Sequence, residues 1–439
     1  MVPSDRAPRP SISLAEATRV WLRIGLSSFG GPAGQIAVMH RVLVDEHKWV
    51  SEEQFLHALK FCTLLPGPEA QQLATYIGWL LHDVRGGLIA GSLFILPGLL
   101  AILGLSILYV TVGQVALVQA VFAGLKPAVL AIVAEALSRI ARRALKHRAL
   151  WFLAGAAFVA LFFFKVPFPI VVLAAGLIGW VQREAWGEPS SEAEAPASAA
   201  TRPARARTIR TVVVGLAIWW VPVGALALGL GPRHVLVSQA VFYSKAAVVT
   251  FGGAYAALTY VGQKAVEQLH WLLPGQMVDG LALAETTPGP LILVLQFVGF
   301  LTTYRLGAPV DGIVGGIVGS LVVVWTTFVP SFLFVLAGAP YMETLRRRPR
   351  LTGALTAITA AVVGVIANLA VWFALKVIFH EHRHVGLGPL SVDLPVWASV
   401  DWPGVLIALA ALVAVFRFKL GILRILGLAS LAGLLQWWL

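Results

Sequence analysis

Two proline-glycine motifs are the strongest chemical signal in the sequence. Leu65-Pro66-Gly67-Pro68 and Thr287-Pro288-Gly289-Pro290 lie 222 positions apart, each inside an apolar stretch. Because prolines remove backbone donors and clash with the preceding turn, each stretch is predicted to break there into two half-helices. Pro68 suits the first position of the second half-helix, which leaves the amides of Glu69, Ala70 and Gln71 without intrahelical partners. Such a positive helix end would bind an anion.

The position of these breaks favours a binding site over a proline kink that only aids packing, which is the alternative for either motif alone. About 13 residues precede and 14 follow the first break within its segment, or roughly 20 Å on each side. This places the break near the bilayer midplane, where exposed backbone is tolerated only inside the protein or along a cavity. Matched breaks in two halves are typical of a transporter's binding site.

Paired glycines mark two further positions. Phe29-Gly30-Gly31-Pro32 and Phe251-Gly252-Gly253-Ala254 also lie 222 positions apart and in the middle of apolar segments. Glycines at such positions let helices approach closely, or unwind a helix and expose its amides. We expect both motifs to form walls of the site, and only the first copy adds a proline, Pro32, to the glycines as a second signal for a break.

Charges within apolar segments are costly and mark function by default. Lys126 follows 40 neutral residues, and we expect it to be the charge partner of an anion. Arg23 and Lys245 are matched at the repeat offset, and the alternative for both is that they extend to the membrane interface. For Glu69 and Glu285 two roles stay open: carrying a coupling proton, or satisfying the amides of a helix end.

The composition indicates that these motifs lie in a membrane. Of 439 residues, 58% are hydrophobic and 12% are charged, about half the roughly 25% charged fraction of soluble proteins. The run without charge between Arg85 and Lys126 is long enough for two crossings of about 20 residues each. The apolar runs are continuous rather than alternating, which excludes an outer-membrane barrel. The sequence therefore predicts an all-α polytopic membrane protein.

About 13 transmembrane segments in two homologous halves account for the chain. In the first half, residues 1–183, we expect segments at 14–40, 52–82, 86–111, 114–142, 149–165 and 167–183. In the second half, residues 231–439, we expect them at 234–263, 274–303, 310–338, 351–379, 400–416 and 420–438. The polar stretch 184–208 is predicted to be a flexible cytoplasmic linker, and 209–230 to be an extra segment.

The segment count predicts an inverted repeat. Seven segments separate the starts of the two halves, and the number stays odd if the first two segments of each half are re-entrant. The halves must then insert in opposite orientations. A cytoplasmic N-terminus and an outside C-terminus place the clustered arginines and lysines of the loops in the cytoplasm. The same rule explains the net charge of +12 without nucleic acid. Residues 1–13 lack the apolar region of a cleavable signal peptide.

Other chemistries find little support in the sequence. The single cysteine, Cys62, excludes an internal disulfide and a multi-thiolate metal site. The histidines between His380 and His384 alternate with other residues in a predicted outside loop, so we interpret them as solvated and not as metal ligands. No nucleotide-binding loop, hydrolase motif or catalytic triad order appears. We therefore expect no cofactor, no metal and no catalytic residue.

The motifs together resemble the chromate ion transporter family in its long, two-domain form. The likeness covers nearly the whole chain and lies in Ser28-Phe29-Gly30-Gly31-Pro32, the run from Leu65 to Ala70 with Thr75-Tyr76-Ile77-Gly78, Phe94 to Pro97, Thr250 to Gly253, and Glu285 to Pro290 with Phe297-Val298-Gly299-Phe300. The resemblance implies export of chromate across the bacterial inner membrane, with sulfate as the competitor of similar shape.

The hypothesis is a secondary transporter that works by alternating access, with its anion site between the half-helix N-termini. Transport of sulfate or another anion is the first alternative, and an intramembrane enzyme that uses Glu69 and Glu285 as acid and base is the second. Expected partners are chromate, sulfate, the lipid bilayer and a second copy of the chain in a homodimer. The residues expected to bind substrate are Arg23, Phe29, Gly30, Gly31, Pro66, Gly67, Pro68, Glu69, Ala70, Gln71, Lys126, Lys245, Gly252, Gly253, Glu285, Thr286, Thr287, Pro288, Gly289 and Pro290.

Overall fold

The computed structural model describes residues 12–182, 205–251, 253–273, 275–341, 349–388 and 390–438. The first half of the chain forms α1 (Leu14–Ser27), α2 (Gly31–His40), α3 (Glu52–Cys62), α4 (Glu69–Val112), α5 (Ala116–Ala144), α6 (Arg148–Phe162) and α7 (Phe168–Val181). The remainder forms α8 (Arg205–Leu230), α9 (Val235–Val249), α10 (Ala254–Gln263), α11 (Gln276–Thr286), α12 (Val294–Leu306), α13 (Gly312–Gly338), α14 (Pro349–Ile378), α15 (Trp402–Phe416) and α16 (Ile422–Trp438).

The prediction of a helical membrane protein is confirmed. Five described helices are long and apolar enough to cross a membrane, and several shorter apolar helices accompany them. Polar caps fix the ends of the less apolar ones. Ser51 and Gln54 form a reciprocal capping box at the start of α3, and the Ser13 hydroxyl accepts from the amide of Glu16 at the start of α1.

Small residues let α4 fold back on itself. The helix is interrupted at His82 (φ −141°, ψ 34°) and Asp83 (φ 54°, ψ −151°), in agreement with the predicted separation of segments 52–82 and 86–111. Gly78 and Gly86 face each other across this reversal, and a methyl group on either would collide with the backbone carbonyl of the other. The two arms of α4 therefore pack with their backbones in contact.

The first segment of each half is divided rather than continuous. The predicted segment 14–40 breaks between α1 and α2 at Ser28–Gly30, and the predicted segment 234–263 breaks between α9 and α10 at 250–253. Each second helix continues into a short π-helical turn, Arg41–Glu46 or Lys264–Gln268. The backbone after these turns also matches, because Lys48 and His270, 222 positions apart, both adopt positive φ (52° and 51°).

Two expectations about the connections need adjustment. The predicted linker 184–208 lies largely outside the described residues, and α8 begins at Arg205, inside the predicted linker. The prediction of an all-α chain is wrong for the loop after α14. An antiparallel hairpin forms there from β1 (His382–Leu387) and β2 (Leu390–Pro395), with Arg383 opposite Leu394 and Val385 opposite Val392. Backbone groups in a connection without a helix need partners, and the hairpin provides them.

The apolar core joins the halves. Buried side chains of α1, α3 and α4 form one cluster that also contains Val335 and Ala339 from the end of α13. The same helix approaches α4 closely, because a Cβ added to Gly87 would lie 3.2 Å from Leu336. Helix α13 of the second half thus packs directly on α4 of the first.

Candidate functional site

Both proline-glycine motifs break their helices as predicted. In the first half, α3 ends at Cys62, and α4 begins after Pro68, which is extended (φ −79°, ψ 105°). In the second half, α11 ends at Thr286, and a single 3₁₀ turn begins after Pro290, also extended (φ −61°, ψ 130°). In the described part of the chain, no hydrogen bond is made by the amides of Glu69, Ala70 and Gln71. They are the donors that the sequence predicts.

Each break is held by the other half of the chain. The backbone N–H of Gly67 donates to the carbonyl of Thr250 over 2.9 Å, and the N–H of Gly289 donates to the carbonyl of Ser28 over 2.9 Å. The two donors are 222 positions apart, and so are the two acceptors. The equivalent contacts therefore cross between the halves, which joins each proline break to the glycine motif of the opposite half.

The hydroxyls at the acceptor positions are occupied locally. The Ser28 hydroxyl donates to the carbonyl of Ile24 over 2.6 Å, and that of Thr250 donates to the carbonyl of Ala246 over 2.5 Å. Each hydroxyl thus bonds to a carbonyl in the last turn of its own helix, and in Thr250 it does so beside the backbone N–H, which donates to the same carbonyl over 3.0 Å.

A proline-containing helix lies against each break. Gly67 lies on Ser331 of α13, where a Cβ on the glycine would be 3.3 Å from the hydroxyl. Gly289 lies on Gly98 of α4, where a Cβ on Gly98 would collide with the carbonyl of Pro288. Ser331 and Gly98 follow Pro330 and Pro97, the prolines that the internal repeat aligns. The residues that pack against the two breaks are thus equivalent in the internal repeat, as the breaks themselves are.

Glutamine side chains satisfy the backbone of both loops. Gln72 donates to the carbonyl of Pro66 over 2.7 Å, and Gln35 donates to the carbonyl of Gly289 over 2.6 Å. Gln71 accepts from the Ser331 hydroxyl over 2.6 Å and donates to the Thr75 hydroxyl over 2.9 Å. These glutamines are buried, and apart from Gln71 the sequence analysis did not single them out. The sequence signal for Gln35 and Gln72 is the presence of an amide side chain inside an apolar segment.

The glycine motifs adopt conformations that favour glycine. Gly30 and Gly31 have φ of 83° and 68°, and Gly253 has φ of 91°. Open space surrounds the Cβ positions of Gly30 and Gly31, whereas a Cβ on Gly253 would lie 3.8 Å from a carboxylate oxygen of Glu69. Phe29 is partly buried beside this turn, and Gly252 lies outside the described residues. The two glycine motifs, which were expected to form walls of the site, therefore lie at the N-termini of α2 and α10.

The three cationic side chains predicted to bind the anion, Arg23, Lys126 and Lys245, do not meet at the proline breaks. Arg23 is exposed and lies 3.0 Å from Glu46, and Lys245 is exposed. Lys126 Nζ lies 3.2 Å from a carboxylate oxygen of Asp279, and the Tyr109 hydroxyl donates to the other oxygen over 2.9 Å. Asp279 is not among the residues predicted from the sequence, although an acidic residue inside the predicted segment 274–303 is a signal.

The end of α11 carries a second buried carboxyl. Glu285 is 1% exposed and accepts from the Tyr255 hydroxyl over 2.8 Å, and its other oxygen has no hydrogen-bond partner within the described ranges. The next two side chains turn back onto the helix, since Thr286 donates to the carbonyl of Leu283 and Thr287 to that of Ala284. Glu285 therefore has a polar neighbour from α10 that the sequence analysis did not identify.

Comparison with known proteins identifies the family. A family model described as chromate transporter matches residues 15–180 and 237–434. The chain belongs to the chromate transporter family. This confirms the resemblance, and because relatives are named as transport proteins, it also confirms the interpretation as a transporter rather than an enzyme.

Individual relatives cover most of the chain. A chromate transport protein of Pseudomonas aeruginosa is 33% identical over 83% of this chain and 82% of its own length. A chromate transport protein of Cupriavidus metallidurans is 28% identical over 93% of this chain and 90% of its own length. A probable chromate transport protein of Synechococcus elongatus is 27% identical, with 98% and 97% covered. No solved structure matches the chain.

Proposed function

We propose that the protein exports chromate from the cytoplasm across the bacterial inner membrane by alternating access. The proposal combines the family with one observation: the reciprocal bonds from Gly67 to Thr250 and from Gly289 to Ser28. Because each break is anchored on the opposite half, a rocking movement of one half against the other changes both breaks together. Coupled exposure of a central site to either side is what alternating access requires.

The proposed site uses backbone and neutral side chains as donors. The amides after Pro68 and the turns at Gly30 and Gly253 supply N–H groups at helix N-termini, where an anion is favoured. Lys126 stays a predicted charge partner, but its contact with Asp279 already balances its charge. The proposal therefore rests on the breaks and not on this lysine.

The energetics favour export of a dianion. An inside-negative potential is worth about 2.3 kcal/mol per charge per 100 mV, so a dianion that leaves the cell gains roughly 4.6 kcal/mol at 100 mV. Coupling to protons is then unnecessary for exit, and the roles of Glu69 and Glu285 in coupling are left to experiment.

Chromate flux in liposomes that contain only the purified protein tests the function. With an imposed potential, and with and without a pH gradient, we expect potential-driven chromate flux that excess sulfate inhibits. Liposomes without protein provide the control. Folded protein that moves no chromate under any gradient would contradict the proposal, and flux of sulfate without chromate would assign the site to another anion.

The proposed inverted arrangement is tested by labelling. We expect the N-terminus in the cytoplasm and the C-terminus outside, so that His147, between α5 and α6, faces inward and Arg383, in the hairpin, faces outward. Cysteines at these positions, in a chain whose single Cys62 is replaced by serine, are probed in intact cells with a membrane-impermeant maleimide. Labelling at position 147 without labelling at 383 would reverse the assignment.

A further inference from the structure

A small cavity lies beside the first break. Its lining includes Gly67 and Pro68 of the first half and Tyr243, Thr250 and Thr327 of the second. The cavity therefore lies at the N-terminus of α4, where the unpaired amides begin, and at the crossing point marked by the bond from Gly67 to Thr250. Ala246, Ala247 and Ala257 contribute small side chains to the lining, and Ile292 and Leu295, which follow the second break, contribute larger apolar ones.

Two hydroxyls in this lining lack partners. Tyr243 is 0% exposed and Thr327 is 4% exposed, and neither hydroxyl has a hydrogen-bond partner in the part of the chain that the structure describes. Leaving a buried hydroxyl unsatisfied costs about 1–3 kcal/mol, so groups like these are normally paired. The residues that line this cavity therefore include two with unused hydroxyl donors, which a ligand with hydrogen-bond acceptors would satisfy.

The aligned positions at the second break carry larger side chains. The repeat aligns Tyr243 with Trp21, Ala257 with Gln35 and, at the offset of the paired prolines, Thr327 with Phe94. Trp21, Gln35 and Phe94 are buried, and Gln35 donates to the carbonyl of Gly289. Each of the three positions thus has a larger side chain at the second break than at the first, and two of the smaller ones, Tyr243 and Thr327, bear hydroxyls.

We infer that the protein has a single, asymmetric oxyanion subsite at the first break, in which the hydroxyls of Tyr243 and Thr327 donate to a tetrahedral dianion at the N-terminus of α4. This deepens the proposed transport function and rests on it. Tyr243 and Thr327 line the same cavity as Pro68 at the positive end of α4, a combination of donors and helix end that favours an anion over a cation. At the second break Trp21 and Phe94 stand in place of the two hydroxyl-bearing residues, so only backbone donors, such as those of the turn at Gly30, remain there.

The cavity must widen to accept the ligand. Its free core has room for about one water molecule, which is smaller than a tetrahedral oxyanion. The conformation described is therefore closed, and binding requires α9 or α13 to move away from the break. Movement of α9 would also separate Gly67 from Thr250, which links occupancy of the subsite to the relative position of the halves.

Direct binding to the purified protein tests the inference. Chromate and sulfate are titrated calorimetrically into the wild type, Tyr243→Phe and Thr327→Val, substitutions that remove a hydroxyl with little change of volume. We expect each variant to bind both anions about 10-fold more weakly or worse, because a hydrogen bond to a charged group is lost. The matched control is Ser320→Ala, which removes another buried, unpartnered hydroxyl from α13 about two turns away and should bind as the wild type does.

The outcomes separate the inference from the proposed function. A wild type that binds and transports chromate, with Tyr243→Phe and Thr327→Val binding equally well, would overturn the subsite and leave a cavity that holds only water, while the function would stand. A wild type that binds sulfate but moves no chromate would overturn the function, and weaker sulfate binding by the two variants would still support the subsite. Absence of binding and flux for both anions in folded wild type would overturn both.

Discussion

Lys126 of α5 lies 3.2 Å from Asp279 of α11, and this contact is an ion pair between the two halves of the chain. The carboxylate is 5% exposed and the lysine 34% exposed, so most of the desolvation falls on Asp279. The Tyr109 hydroxyl completes the surroundings of the carboxylate from α4. The pair therefore connects three helices at a depth where an unpaired charge would be expensive.

Removing the lysine alone should destabilise the protein. In Lys126→Met, Asp279 is left buried without its cation, and we expect a loss of about 3 kcal/mol, seen as a lower midpoint of thermal unfolding in detergent. The double variant Lys126→Met/Asp279→Asn should recover most of that loss, because no unpaired charge remains. Equal midpoints for the single and double variants would contradict this coupling.

The same variants decide whether Lys126 also binds the anion. Since its charge is matched by Asp279 and the cavity at the first break is lined by neutral groups, we expect the double variant to bind chromate as tightly as the wild type. A folded double variant that has lost chromate affinity would instead assign Lys126 to the anion, as the sequence predicts. Calorimetric titration of both proteins in the same detergent makes the comparison.

The close contact between Gly98 and the second break gives another prediction. In Gly98→Ala the new methyl group would collide with the carbonyl of Pro288, which belongs to a loop fixed by its bond to Ser28. We expect a loss of about 2 kcal/mol in stability and a large fall in chromate flux. Gly104→Ala, on the same helix, is the matched control, since its methyl group would meet nothing within 4 Å and alanine favours the helix. Similar effects of both substitutions would exclude the contact as the cause.

The sequence predicts the helices well because their signals are local. The segment expected at 149–165 is α6 (Arg148–Phe162), and the one expected at 400–416 is α15 (Trp402–Phe416). Charged residues and prolines at the ends of these apolar runs mark where each helix begins and ends. Within the segment 14–40 the paired glycines indicate either close packing or an unwound helix, and only the positive φ of Gly30 and Gly31 decides for the break.

Contacts between the halves could not be predicted from local signals. The ion pair of Lys126 and Asp279 and the hydrogen bond of Tyr255 and Glu285 depend on how distant helices pack. The cavity at the first break is an intermediate case. The repeat offset pairs Tyr243 with Trp21, so the difference in size was visible in the sequence, but only packing decides whether a smaller side chain leaves a space or is compensated by a neighbour.

Glu285 should tolerate an amide but not a hydrocarbon. Glu285→Gln keeps an acceptor for the Tyr255 hydroxyl, so we expect its stability to stay within about 1 kcal/mol of the wild type. Glu285→Leu leaves that hydroxyl buried without a partner and should cost about 1–3 kcal/mol. Thermal unfolding in detergent measures both. A larger loss in the glutamine variant than in the leucine variant would show that the hydrogen bond to Tyr255 does not stabilise the fold.

Flux measurements on the same glutamine variant test the predicted coupling role. Glutamine cannot exchange a proton. If the Glu285 carboxyl couples transport to protons, the chromate flux of Glu285→Gln should therefore no longer respond to a pH gradient. Glu267→Gln, in the turn after α10, removes a carboxyl that accepts from the Trp372 indole N–H instead and serves as the control. An unchanged response in Glu285→Gln would remove this residue from any proton pathway.

The β-hairpin after α14 should loosen on acidification. Burial, together with the nearby charge of Lys376, lowers the pKa of His382, although its hydrogen bond to the carbonyl of Leu375 acts in the opposite direction. A histidine whose pKa is lowered by folding contributes stability above its unfolded pKa of about 6.5, and this contribution is lost as the pH falls below that value. Hydrogen exchange of residues 382–395, corrected for the intrinsic rate, should therefore be faster at pH 5.5 than at pH 7.5. Glutamine cannot take up a proton, so the hairpin of His382→Gln should lose this part of the pH dependence. If the variant keeps the full wild-type response, the effect belongs to another group, such as Asp393 beside His384.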